Sequence, residues 1–238
     1  MNADFILQEL LSVANPEKAK FLQGFFKTGK GQYAEGDIML GINVPVIRDI
    51  VKQNSKLPLD EIQKLIDSEY HEARLSGFLL LSNQFKKSKE ERERRKIYDF
   101  YLKNARKANN WDLVDVTCRD VVGLYLLNHE EERETLYQLA ESDNLWEQRI
   151  AIISTWTFIK YNQFYDTLSL SEKLLNHKHD LIHKAVGWML REVGKKDKNI
   201  LIDFLEENHA KMPRTSLRYA IEHFTEEERA YFMKKGNL

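Results

Sequence analysis

Apolar residues recur every three or four positions along most of the chain from about residue 58 onward. The segment from Ile150 to Tyr161 shows the pattern, with Ile153, Thr157 and Phe158 on the same predicted face. This spacing brings side chains to one side of an α-helix, whereas a half-buried strand alternates apolar and polar residues. No segment shows a convincing alternation of that kind. The pattern therefore predicts an all-α fold.

Five of the predicted helices begin at similar intervals. The starts near residues 68, 110, 144, 180 and 215 are separated by 42, 34, 36 and about 35 residues. A second helical stretch fills each interval, and a helix pair that recurs at this distance is typical of an α-solenoid. Each start has a residue that favours a helix N-terminus or a turn. The candidates are Ser68, Asn110, Asn144, Asp180 and Arg214 or Thr215.

The same spacing predicts one domain over residues 1–238. Residues 1–57 would hold N-terminal helices and a glycine-rich loop, and residues 58–238 the repeated helix pairs. Five of the ten glycines lie between residues 24 and 41. This loop lacks the GxxxxGK[ST] arrangement of a phosphate-binding loop and follows no predicted strand. We interpret it as a mobile connection between helices and expect no nucleotide cofactor.

A solenoid of this kind offers an extended concave surface for binding. If the five helices are equivalent, each presents polar or aromatic residues to one face of successive repeats. The residues expected on that face are Trp111, Asp115, Arg149, Trp188 and Arg218.

Composition limits the class of protein without naming a partner. The 238 residues are 42% hydrophobic and 31% charged, and the formal net charge is −1, so an electrostatic site must come from local clustering. No apolar run approaches the roughly 20 residues of a membrane-spanning helix, and the N-terminus lacks the pattern of a secretory signal. Cys118 is the single cysteine, which excludes an internal disulfide and favours the reducing cytoplasm.

The stretch NNWDLVDVTC, residues 109–118, concentrates candidate chemistry at a predicted helix start. Trp111 and Asp115 are four residues apart and share a helix face, whereas Asp112 points about 100° away from Trp111. Asp112 is explained by its position in the first turn, where an acid is favoured by the helix dipole. Asp115 lies beyond that turn, so a solvated surface acid and a functional carboxylate both remain open for it.

Two further residues stand out in the second half of the chain. Trp188 directly follows Gly187, which could let either a ligand or a neighbouring helix approach, although a core position is commoner for tryptophan. Arg149 interrupts the apolar stretch LWEQRIAI, so its side chain must extend to the surface or meet an anion.

Other reactive residues give little. His179 and His183 are four residues apart, but they lack the glutamate of the HExxH motif and a third ligand nearby, so we expect no metal site. Cys118 has no histidine at a useful spacing and is expected to be a small buried residue.

Four segments together resemble the AlkD-like DNA alkylation repair family, whose members are DNA glycosylases built from HEAT-like helical repeats. The likeness covers most of the chain in the right order. It implies a right-handed α-solenoid of HEAT-like repeats with a concave DNA-binding face. The segments are LGINVPVIRD at residues 40–49, WDLVD at 111–115, WEQR at 146–149 and KAVGWMLRE at 184–192.

The resemblance implies an enzyme that removes cationic N3- or N7-alkylated purines from double-stranded DNA, without drawing the base into a pocket. Asp115 would be the catalytic carboxylate near the anomeric carbon, and Trp111 and Trp188 would pack against the deoxyribose and backbone. Arg149 would hold a phosphate. Some members place a tyrosine near the DNA in the N-terminal helices, and the matching residue here is Phe25, which lacks the hydroxyl group.

We also expect a monomer that needs no metal or other cofactor. Its DNA contacts would come from cations at the helices of the concave face, so a nearly neutral chain could still carry a basic groove. The DNA-binding residues expected are Phe25, Arg149, Lys184, Arg191, Arg214 and Arg218, and Arg48, Lys52, Arg74, Lys107 and Arg119 are further groove cations.

Two other functions remain open at this point. The protein could be a relative that binds distorted or branched DNA without cutting the glycosidic bond. It could also be a helical-repeat scaffold for other proteins, which would show no salt-sensitive affinity for DNA.

Overall fold

The computed structural model describes residues 2–234, and these residues form helices joined mostly by short connections, with a longer one over residues 26–43. The described part contains no β-strand, only one isolated parallel bridge between Ile38 and Tyr70. The prediction of an all-α fold is confirmed. Within the same range, no helix combines the length and the apolar character that a membrane crossing requires.

The chain divides into two compact units, residues 1–125 and residues 126–238. The boundary predicted from the sequence lies near residue 57, whereas residues 1–57 share a unit with the helices that follow. A 3₁₀ turn at Ala105–Lys107 and a π-helical turn at Arg119–Gly123 also belong to the first unit. Its α-helices are α1 Ala3–Ser12, α2 Pro16–Phe25, α3 Val44–Gln53, α4 Leu59–Ile66, α5 His71–Lys87, α6 Glu91–Lys103 and α7 Trp111–Asp115.

Helix α8, Leu124–Leu127, contains the division between the units. A 3₁₀ turn follows at Glu130–Glu132. The remaining helices are α9 Glu134–Ala140, α10 Leu145–Ser154, α11 Trp156–Lys160, α12 Tyr165–Leu174, α13 Asp180–Lys196, α14 Lys198–Asn208, α15 Arg214–Ala220 and α16 Glu226–Met233.

Helix α5 is the central helix of the first unit. Its buried residues lie on every side, because α3, α4 and α6 all pack against it. Gly77 permits the approach of α4, since a Cβ atom there would lie 2.7 Å from Ile66 Cγ1. The first turn of α5 is buried as well, although it carries the charged residues Glu72 and Arg74.

Glu72 attaches the end of the glycine-rich connection to α5. Its carboxylate accepts hydrogen bonds from the backbone N–H groups of Leu40, Gly41 and Ile42, at 2.8, 2.8 and 3.2 Å. Gly41 has φ of 81°, and a Cβ atom there would lie 2.2 Å from the Asn15 carbonyl oxygen, so only glycine fits this position. The segment connects α2 to α3, and its last residues are held by a buried side chain.

Helix α13 has the central place in the second unit, where it packs against α10, α12, α14 and α15. A Cβ atom at Gly187 would lie 2.5 Å from the Ser216 carbonyl oxygen and 2.5 Å from Tyr219 Cβ. Of the two explanations considered for Gly187, the neighbouring helix is therefore the one observed, and that helix is α15.

The predicted helix starts are correct to within about two residues. Asn110 and Asn144 are the N-caps of α7 and α10, as predicted, and the Asn144 side chain accepts from the N–H groups of Trp146 and Glu147. The N-cap residues of the other three helices differ from the predicted ones, and they are Tyr70 for α5, His179 for α13 and Pro213 for α15.

Candidate functional site

Helix α7 presents a two-residue surface to the outside of the first unit. Its middle residues Asp112, Leu113 and Val114 are buried, whereas Trp111 and Asp115 are only partly buried. Because Trp111 and Asp115 are one turn apart, they share the face that reaches the surface. The arrangement agrees with the face predicted from the sequence.

Trp111 rests on two phenylalanines from the end of α2. The Phe26 ring stacks on it with centroids 5.3 Å apart and an interplanar angle of 30°, and the Phe25 ring meets it edge-on at 5.9 Å. Phe26 is buried together with Ala19 and Met39, whereas Phe25 is 54% exposed. The stacking fixes the indole plane, and Phe25, expected from the resemblance to lie near DNA, is an exposed neighbour of Trp111.

Asp112 turns into the interior. Its Oδ2 lies 2.9 Å from Nε2 of His71, and its Oδ1 is buried without a hydrogen-bond partner among the described residues. The only explanation for Asp112 from the sequence is the helix dipole. That explanation is incomplete, because the carboxylate also contacts a buried histidine of α5.

His71 lies between two carboxylates. Its Nδ1 is 2.9 Å from Asp37 Oδ2, opposite the contact with Asp112. A neutral imidazole has only one N–H group, so both contacts are hydrogen bonds only when the ring is protonated. Burial lowers the pKa of His71, but the two carboxylates outweigh this effect and raise it to about 9. At neutral pH the ring is an imidazolium.

Arg74 completes this buried charge cluster. One of its guanidinium nitrogens pairs with Asp37, and the others donate to the carbonyl groups of Ser68 and Glu69 and to Asn109 Oδ1. Burial raises the pKa of Asp37, but His71 and Arg74 bring it below its ordinary value. Arg74 was expected to be a groove cation. That expectation is wrong, because the side chain is buried and engaged inside the protein.

A surface cavity of about 200 Å³ lies beside the cluster. Phe25, Phe26, His71, Glu72 and Asp112 contribute to its lining, together with aliphatic residues of α2 and α3. Neither His71 nor Asp37 was predicted from the sequence. A signal was present in the segment HEARLSGFLLL, where charged residues stand at the start of a strongly apolar helix. A helix that is apolar on every side is buried, and charges at its start then need partners inside the protein.

In the second unit, Trp188 lies on α13 and is partly buried, and its Nε1 donates to Glu192 Oε1 at 3.2 Å. Lys184, on the same helix, lies 2.8 Å from Asp180 Oδ2. Arg191 pairs with Glu222. Each of these two cations therefore has an acidic partner in the free protein.

The arginines expected to bind phosphate differ in exposure. Arg149 is only 5% exposed, and its Nη1 donates to the Leu181 carbonyl at 2.5 Å, which joins α10 to the start of α13. Arg214 and Arg218, on α15, are both exposed. Nη2 of Arg214 donates to the Met233 carbonyl at 2.8 Å. These two arginines present their charge to solvent.

The histidines at the start of α13 have structural contacts. The His179 side chain accepts the Leu181 N–H as the helix cap, and Nε2 of His183 contacts the His177 carbonyl. Within residues 2–234 no group of three or more potential ligands is placed to hold a metal ion. Cys118 is buried, as predicted.

Comparisons with known proteins agree with this fold. A structure described as a predicted DNA alkylation repair enzyme from Enterococcus faecalis is similar to the chain, with a TM-score of 0.69 and 17% sequence identity. The similarity covers 90% of this chain and 97% of the other. No curated protein sequence matches. The family model described as DNA alkylation repair enzyme matches residues 6–224. Since this match spans nearly the whole chain, the protein belongs to the DNA alkylation repair enzyme family.

Proposed function

We propose that the protein is a monofunctional DNA glycosylase, which hydrolyses the N-glycosidic bond of cationic N3- or N7-alkylated purines in double-stranded DNA. The observation that carries the proposal is the pairing of Trp111 with Asp115 on the surface of α7, where the residues between them are buried. Membership of the DNA alkylation repair enzyme family supports DNA as the substrate.

The chemistry needs little from the protein. Alkylation makes the purine cationic and a good leaving group, so its departure takes the bonding electron pair without a general acid. Positive charge then develops on the sugar. A carboxylate about 4 Å away, at an effective dielectric constant near 20, contributes on the order of 4 kcal/mol, which corresponds to roughly a thousandfold in rate. Asp115 is proposed to be this carboxylate.

Water completes the reaction. Its oxygen forms the new bond to the anomeric carbon, and its proton passes to a base for which Asp115 is the candidate. The Trp111 indole would add about 0.5 to 2 kcal/mol by cation–π attraction to the developing charge. Its plane is already fixed by Phe26, so little ordering is required on binding.

Further contacts to DNA are proposed within each of the two units. In the first unit, exposed Phe25 would offer an apolar contact where relatives have a hydroxyl group. In the second unit, Trp188 would pack against a sugar, and cations would bind phosphates without reading sequence. Arg149 keeps its proposed phosphate role only if its guanidinium becomes accessible on binding. The remaining proposed phosphate contacts are Lys184, Arg191, Arg214 and Arg218.

We also propose that the protein acts as a monomer in the cytoplasm, without a metal or other cofactor. The single cysteine supports a reducing compartment.

Release of 7-methylguanine from duplex DNA tests the proposal. Asp115→Asn should lower the single-turnover rate by roughly a thousandfold. Asp120→Asn is the matched control, since Asp120 is a nearby, partly exposed acid that bonds to Ser82 and Lys86, and it should keep the wild-type rate. Equal rates for wild type and Asp115→Asn contradict the proposal. DNA binding without release identifies a non-catalytic relative, and the absence of salt-sensitive binding identifies a scaffold.

A further inference from the structure

Helix α7 is too short to fix its own direction. It contains five residues and gives way to a π-helical turn at Arg119–Gly123. An isolated helix of this length is unstable, since few hydrogen bonds offset the cost of ordering the first turn. The direction of Trp111 and Asp115 must therefore come from contacts between α7 and other elements.

Two side chains on the first turn of α5 supply polar contacts of this kind. His71 binds Asp112 within α7, and Arg74 binds Asn109 just before the N-cap of α7. His71 and Arg74 are three residues apart, as are Asn109 and Asp112, so the start of α7 is attached at two points to one turn of α5. Asp37 contacts both His71 and Arg74 and holds them in place.

The aromatic contacts reinforce this attachment. Phe26 lies between His71 and Trp111, with ring centroids 5.2 Å from the imidazole and 5.3 Å from the indole. A change at the imidazole can therefore reach Trp111 through Asp112 and through Phe26.

We propose that His71 is a positioning residue, which fixes the orientation of α7 and hence of the Trp111 and Asp115 side chains. The inference rests on the proposed glycosylase function. His71 acts through α7 and does not touch the DNA. Its protonated form donates to Asp37 and Asp112 together, and loss of the proton breaks one of the two hydrogen bonds.

Charged groups face the imidazole from each element around it. Asp37 comes from the loop before α3, Asp112 from α7, and Glu72 and Arg74 from α5 itself. Glu72 is directed to the backbone of residues 40–42. Lys18 of α2 lines the adjacent cavity and binds Asn43. Of these groups, Asp37 and Asp112 contact the ring nitrogens.

The first part of the test needs no enzyme activity. Nuclear magnetic resonance of the wild-type protein should show His71 titrating near pH 9, and the Trp111 indole N–H signal should shift over the same pH range. Asp112→Asn should lower the pKa of His71 and reduce the shift of the Trp111 signal, because only the route through Phe26 then remains. Titration of His71 near its ordinary value, or a Trp111 signal that ignores the titration, would overturn the proposal.

The second part measures base release from 7-methylguanine DNA. His71→Gln stays neutral at every pH, and it should lower kcat by about tenfold to a hundredfold with little change in KM, because the reacting groups are displaced rather than removed. The wild-type rate should fall above pH 9, and this fall should be absent in His71→Gln. His183→Gln, which alters a histidine of the second unit, should match the wild type.

The outcomes separate the two proposals. If wild type releases no base, the glycosylase function fails, and the magnetic resonance titration still decides whether His71 holds α7. If wild type is active and His71→Gln has the same kcat and pH profile, the positioning role is refuted. If His71→Gln does not fold, Asp112→Asn provides a second kinetic comparison, since it keeps the shape of the side chain and removes its charge. Its kcat should be lower than that of wild type, and the alkaline fall of the rate should move to lower pH together with the pKa of His71.

Discussion

The two central helices, α5 and α13, are each seventeen residues long, yet they use charge in opposite ways. The first turn of α5 buries His71 and Arg74, which are 2% and 6% exposed. At the start of α13, Asp180 and Lys184 form an ion pair whose side chains are 55% and 42% exposed. Paired buried charges hold neighbouring segments together, but a buried charge that loses its partner costs the protein several kcal/mol of stability. Exposed charges contribute little to stability and remain available to a ligand.

The largest expected difference between the two helices comes from removing one acidic partner of each. Asp37→Asn leaves Arg74 buried without its carboxylate partner and should lower the free energy of unfolding by about 3 to 5 kcal/mol. Asp180→Asn breaks an exposed pair and should change it by less than about 1 kcal/mol. Urea denaturation of both variants measures the difference. Equal losses of stability would remove the distinction between the helices.

The pH dependence of stability should also differ in sign between the two regions. The folded-state pKa of His71 is raised from 6.5 to about 9, so its contribution is fully present below pH 6.5, declines as pH rises and is gone above about pH 9. A shift of this size corresponds to about 3 kcal/mol. Denaturation at several pH values measures the decline.

His177 and His179, near the start of α13, should act in the opposite direction. Burial is the main cause that lowers the pKa of each. Their contribution to the free energy of unfolding is therefore present above pH 6.5 and is lost as pH falls below it. His71→Gln is the control for the alkaline decline. It should abolish this decline and leave the contribution of His177 and His179 unchanged. An alkaline decline that persists in this variant must come from other groups.

The smallest effect is expected from an exposed cation. Arg218→Ala should leave the free energy of unfolding within about 0.5 kcal/mol of wild type, because the side chain lies on the surface. The affinity of the Arg218→Ala variant for duplex DNA should fall a few-fold, and the slope of log affinity against log salt should become shallower by about 1. Titration of fluorescent duplex DNA at several salt concentrations measures both quantities. Lys64→Ala, an exposed cation of α4, is the control and should keep the wild-type slope if α4 lies outside the interface.

Local patterns in the sequence predicted much of the fold and part of the site. Helical spacing predicted the all-α fold, and Asn110 and Asn144 were identified as caps because capping depends on neighbouring residues. The shared face of Trp111 and Asp115 follows from helix geometry alone. The assignment of catalytic and DNA-binding roles stays a prediction.

Contacts between distant segments were beyond the reach of these patterns. Asp112 meets a histidine 41 residues earlier in the chain, and that histidine meets Asp37 a further 34 residues away. These separations reflect how α5, α7 and the loop before α3 pack together, which no local period encodes. Arg149 illustrates the same limit, since one of the groups it binds is the Leu181 backbone carbonyl, which carries no signature in the sequence.

The attachment of residues 40–42 to Glu72 bears on how the chain can vary during evolution. All three hydrogen bonds use backbone N–H groups, so replacing the side chains of Leu40 or Ile42 leaves each donor in place. Replacing Glu72 removes the acceptor for all three donors at once. We therefore expect selection on this loop to act most strongly on Gly41 and on Glu72, some thirty residues downstream. The other side chains of the loop can then change during evolution while its backbone keeps the same path.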